Sequence, residues 1–180
     1  MRTPIRYTGC ICPRYRDAPV TTPDPDPASR TELAFNAFTA DGSLLCHGCG
    51  PAGQCRFGIR DVHPDHDGVV YATVICTNAF EGAPGMGHGG WIAAVLDEIT
   101  GFLTILQAGF AVTSSLQVTF KRPVPLNEPL VLVAREDSSD DGRWHVHGEL
   151  RHAATDALLA SADAIYVQRD ARYFARDEPG

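Results

Sequence analysis

No stretch of this 180-residue sequence strings together the roughly eighteen apolar residues that a bilayer crossing needs. Residues 1–17 also lack the apolar middle of a secretory signal, so the chain is expected in the cytosol with no membrane partner. Basic clusters are missing too. The longest run of cations is the pair Lys121-Arg122, in a chain of net charge −7. That balance argues against a general nucleic-acid binder, which needs a positive patch for phosphates. No internal repeat is present.

Cysteine is sparse for a scaffold: six thiols in a chain that is 44% hydrophobic, long enough to bury its own core without a disulfide frame. They read as reduced thiols. Cys10-x-Cys12 with Cys46-x-x-Cys49 has spacing that would suit a four-thiolate zinc site, with Cys55, His47 or His63 as substitutes. The preferred reading is no metal, and the zinc alternative stays open.

The composition divides the chain. Residues 1–40 form a proline-rich arm, in which Leu33, Phe35 and Phe38 allow a short helix capped by Ser29 or Thr31. Residues 41–170 form the main domain and 171–180 a tail. Strands are expected at 56–62 and 69–76, joined by a turn whose histidines are solvated, then at 111–121, 130–136, 143–152 and 158–168. Asp140-Asp141-Gly142 and Thr155-Asp156 are turns. In 111–121, Leu116, Val118 and Phe120 take one face while Thr113, Ser115, Gln117 and Thr119 take the other.

Residues 85–106 organise the rest. Ile92, Val95, Leu96, Ile99, Phe102, Leu103 and Leu106 recur at helical spacing and give an apolar stripe. The opposite side, Gly90, Ala93, Ala94, Asp97, Gly101 and Thr104, is small except for one acid. A carboxylate on such a helix is costly without a compensating role. His88-Gly89-Gly90 opens the helix, where the first N–H groups lack intrahelical partners and suit an oxyanion. One helix with five or six mostly antiparallel strands makes an α+β domain in which the sheet must cover the helix.

These motifs resemble the hotdog-fold acyl-CoA thioesterases of the phenylacetate-pathway type, in the branch shared with mammalian mitochondrial long-chain acyl-CoA thioesterases. His88-Gly89-Gly90 followed by Asp97 matches the signature of that family. Phe80-Glu81-Gly82-Ala83-Pro84-Gly85 resembles its lead-in, Lys121-Arg122-Pro123-Val124-Pro125-Leu126 its strand end, and Cys46-His47-Gly48-Cys49-Gly50-Pro51 its entry. Gly87, Trp91 and the segment around Cys55 depart from the family pattern.

The resemblance implies a hotdog fold, and hydrolysis of an acyl-CoA or carrier-protein thioester. Backbone N–H groups of Gly89 and Gly90 would hold the oxyanion, with Asp97 as general base or nucleophile. It places a water-orienting residue at Thr113. By strand parity Thr113 faces away from its own helix, which points to a site completed across a subunit boundary in a homodimer or a dimer of dimers. Lys121 and Arg122 are candidates for the coenzyme A phosphates, and no cofactor is expected beyond the coenzyme A of the substrate. His88 shapes the turn first, and would polarise the thioester second. Glu98 is expected to meet a cation at an interface. Two other functions remain: a dehydratase or isomerase using His88 and an acid, and a non-catalytic acyl-thioester-binding protein.

Overall fold

The computed structural model describes residues 55–108 and 111–169. The arm with its short helix, the Cys10, Cys12, Cys46 and Cys49 set, and the tail lie outside the described residues. In chain order come β1 (Arg60–Pro64), β2 (Val70–Ile75), a 3-10 turn (Asn78–Phe80), α1 (Gly89–Ala108), β3 (Ala111–Phe120), β4 (Pro129–Asp140), β5 (Arg143–His152) and β6 (Leu158–Gln168). The strands form one six-stranded sheet, ordered β1-β2-β4-β5-β6-β3, and every neighbouring pair is antiparallel. The helix lies along one face of the sheet and touches β2 through β6. This is the hotdog arrangement.

Strand alternation explains why the sheet wraps the helix. Val70, Ala72 and Val74 of β2, Leu130, Leu132 and Ala134 of β4, Val146 and Leu150 of β5, and Ala160, Ala162 and Ala164 of β6 are all buried. They meet Ile92, Val95, Leu96, Ile99 and Leu103, each side chain contributing about 1.5–3 kcal/mol of apolar burial. Phe102 is only half-buried and Leu106 is exposed, so the buried stripe is narrower than periodicity alone suggests. Thr100 and Thr104 are buried instead. By length and composition alone α1 could cross a membrane, although Asp97 and Glu98 interrupt its middle and its buried face is the core of this sheet.

Two turns follow their sequence chemistry. Asp141 and Gly142 both take positive φ, 45° and 70°, the requirement of a tight two-residue hairpin. In the first hairpin the Asp65 carboxylate accepts from the N–H groups of Asp67 and Val69, both at 2.9 Å. His63 and His66 are exposed there, as expected.

The first strand begins later than the sequence suggests. Residues 55–59 are not strand, because the Trp91 indole donates to the Phe57 carbonyl at 3.3 Å and ties this segment to the start of α1. Trp91, which departs from the family pattern, is buried against Phe80 with ring centroids 5.8 Å apart. β4 runs on to Asp140 through a register shift between Glu136 and Ser138.

Candidate active site

The lead-in to α1 is a closed loop. Gly82 N–H donates to the Met86 carbonyl, Met86 N–H to Ala83, and the Glu81 carboxylate accepts from Gly85 N–H at 2.6 Å. Gly85 takes φ +75°, which a side chain would strain. His88 N–H donates to the Phe80 carbonyl at 2.7 Å and Gly87 N–H to that of Val124 at 2.9 Å, fixing where the helix starts. Gly87 has no room for a side chain: a β-carbon there would stand 2.8 Å from the Cys76 sulfur. Cys76 is a core residue, and burial pushes its thiol up to about 11.

His88 caps the helix, its Nδ1 accepting from Gly90 N–H at 2.9 Å. Gly90 was expected beside Gly89 as an oxyanion donor, but its N–H is already engaged. Gly89 N–H has no protein partner among the described residues. It opens on a cleft of about 650 Å³, lined on one wall by residues 82–83, 86–89 and Ile92 and on the other by residues 120–124. Phe120 arches over Gly89 and is 56% exposed. Lys121, the only lysine of the chain, and Arg122 stand in the same cleft, and one Arg122 nitrogen donates to the Leu158 carbonyl at 3.1 Å.

Asp97 sits two turns further along α1, facing β3 and β6 rather than this cleft. Its Oδ1 accepts from the Thr113 hydroxyl at 3.0 Å and the Tyr166 hydroxyl at 3.2 Å. Oδ2 has no hydrogen bond among the described residues.

The Thr113 contact corrects the parity expectation. A bulge between Thr113 and Ser115 leaves Ser114 unpaired, so Thr113 opposes Tyr166 while Leu116 opposes Ala164, and all four residues turn toward the helix. Thr113 therefore touches the Asp97 of its own chain.

Tyr166 and Thr100 are members of the site that sequence reasoning did not single out. The tyrosine hydroxyl also donates to the main-chain oxygen of Asp97 at 2.8 Å and lies 2.9 Å from the Thr100 hydroxyl. A signal was present, since Tyr166 ends an inward row otherwise made of Ala160, Ala162 and Ala164. Glu98, one step round the helix, forms no ion pair among the described residues. Burial, then the charge of Asp97, hold its carboxyl above the usual range against a pull from Arg56.

Residues 85–157 match the family model described as thioesterase superfamily. Over 52 residues the chain is 42% identical to the acyl-coenzyme A thioesterase THEM4 of Mus musculus, a stretch covering 29% of this chain and 22% of that one. Against the curated relatives reported as THEM4 and THEM5, the matches span only 22% to 43% of their lengths. A phenylacetic acid degradation-related protein of Ralstonia eutropha superposes with a TM-score of 0.53 at 28% identity, covering 61% of this chain and 82% of that one. A Streptococcus mutans protein solved with acetyl-CoA bound shares the fold, with a TM-score of 0.56 at 20% identity over 61% of this chain and 90% of that one.

Proposed function

We propose, from the premise that this chain carries a thioesterase-superfamily domain of the hotdog fold, that it hydrolyses acyl-coenzyme A thioesters to free acid and thiol. The observation that carries this reading is the Asp97 carboxylate, held at one oxygen and, among the described residues, open at the other, on the same helix whose first N–H has no partner among those residues. Oδ2 takes a proton from water, the hydroxide adds to the thioester carbonyl, and the oxyanion rests on Gly89 N–H. The C–S bond then breaks and the thiolate regains the proton that Asp97 held. In the alternative route Oδ2 itself attacks and water cleaves the mixed anhydride. Heavy oxygen from water appearing in Asp97 after a single turnover identifies the anhydride route with water attacking the Asp97 carbonyl, because the general-base route places that oxygen only in the released acid.

One chain does not bring the two halves together, because the cleft at Gly89 is not lined by Asp97. Strand β3 supports a homodimer as the solution. It is one of the two edge strands of the sheet, the other being β1; among the described residues the outer side of its ladder is unpaired, and Phe120 is exposed at its end. It runs from Thr113, against Asp97, to Phe120, over Gly89. Antiparallel pairing of β3 with its copy sets the Thr113 end of one chain against the Phe120 end of the other, and so Asp97 near the partner's Gly89. Lys121 and Arg122 then take the phosphates of coenzyme A, which enters as part of the substrate rather than as a resident cofactor.

The test is thiol release from a panel of acyl-CoA and acyl-carrier-protein thioesters. Asp97→Asn should lower turnover by about 10²- to 10⁴-fold with the fold intact. An unchanged rate refutes the assignment. Dehydration is less well supported, because Nδ1 of His88 is spent on capping α1.

A further inference from the structure

We propose that Tyr166 is a positioning residue for Asp97: with Thr113 it pins Oδ1 from the neighbouring strand and leaves Oδ2 as the reacting atom. This rests on the hydrolytic reading given above. Thr113 and Tyr166 are direct cross-strand partners on β3 and β6, brought to the same face by the bulge at Ser114. Their hydroxyls reach the same carboxylate oxygen, at 3.0 and 3.2 Å. A carboxylate held by one donor can still rotate about its last side-chain bond. Two donors from different strands fix its plane.

The surroundings are shaped to place that phenol. Tyr166 is 3% exposed, so its hydroxyl must find partners within the protein. It shares its proton between the main-chain oxygen and Oδ1 of Asp97, at 2.8 and 3.2 Å. The Thr100 hydroxyl stands 2.9 Å from the phenolic oxygen, with the Leu96 carbonyl as its other partner at 2.8 Å. Two glycines make the space. A β-carbon on Gly148 would collide with Thr100 at 2.8 Å, and one on Gly101 would come into contact with the tyrosine oxygen at 3.4 Å.

Tyr166 itself does not carry the proton of the reaction. Burial first, and the charge of Asp97 second, hold the phenol protonated well above its ordinary value. It is a fixed donor, which suits orientation rather than proton transfer.

The experiment is a cycle of Tyr166→Phe with Asp97→Asn, reading kcat, KM and melting temperature. Tyr166→Phe should lower kcat about tenfold with KM within about twofold, and should add nothing in the Asp97→Asn background. Thr100→Val, which removes the hydroxyl that orients the phenol, should lower kcat about threefold and supplies the same readout if Tyr166→Phe fails to fold. Wild-type kcat in folded Tyr166→Phe, or an equal fold-loss in both backgrounds, overturns the positioning role while leaving Asp97 as the reacting group. An Asp97→Asn enzyme that still hydrolyses at the wild-type rate sinks both readings.

Discussion

Gly148 of β5 faces the methyl of Thr100 so closely that a β-carbon built on it would stand 2.8 Å from that methyl. The absent side chain is what lets α1 settle onto the sheet at the level of Asp97. Gly148→Ala is therefore expected to destabilise the domain by about 1–3 kcal/mol, read as a lower urea midpoint at unchanged slope. Thr100→Ser removes the colliding methyl. In that background the Gly148 substitution should lose most of its effect, and full additivity would show that the strain lies elsewhere.

Lys121 and Arg122 are neighbours in one cleft but are not equally free. Arg122 is tied to the Leu158 carbonyl, whereas the Lys121 ammonium has no hydrogen bond or ion pair among the described residues. Lys121→Ala should raise KM for acyl-CoA about five- to tenfold with kcat little changed, and leave KM for an acyl-pantetheine without phosphates unaltered. Arg122→Ala should lower the melting temperature as well as raise KM. Equal KM increases for both substrates would remove the phosphate role.

How much of this was legible in the sequence varies with how local each cause is. β5 and β6 begin and end where expected, because alternation is strong and Asp141-Gly142 closes their neighbour hairpin with a turn only such residues favour. The helix was legible for the same reason. The displaced start of β1 was not, since it depends on Trp91 reaching Phe57 across 34 residues. In the site, Asp97 and Gly89 stood out as chemistry in an unusual place. The orientation of Thr113 was misread, because one extra residue at Ser114 inverts every parity before it. Tyr166 lies 69 residues from Asp97, and only the folding of β6 beside β3 brings them together.

Glu98 gives the domain a pH dependence of definite sign. Its carboxyl is raised from 4.5 in the folded chain, by burial first and Asp97 second. The folded state therefore keeps this proton to higher pH than the unfolded state, and stability falls as pH rises through the window above 4.5. Glu98→Gln should melt higher than wild type near neutral pH, with the advantage disappearing once the pH drops below about 4.5. Melting curves across that range check it. A constant difference at every pH would mean that Glu98 ionises alike in both states.

The two-chain site can be tested by mixing inactive proteins. Gly89→Pro removes the unpartnered N–H while keeping a residue suited to the first helical position, and Asp97→Asn removes the reacting carboxylate; each homodimer alone should be nearly inactive. If Asp97 of one chain works with the partner's Gly89, a mixed dimer has one site lacking both groups and one site with both intact. Unfolding and refolding an equal mixture gives half mixed dimers, so roughly a quarter of the wild-type sites should return. If each chain carried a whole site, every mixed dimer would hold two crippled sites and no activity would reappear. Size-exclusion chromatography of the mixture shows that dimers have formed, so absence of recovery would assign both groups to one chain and remove the β3 pairing from the proposal.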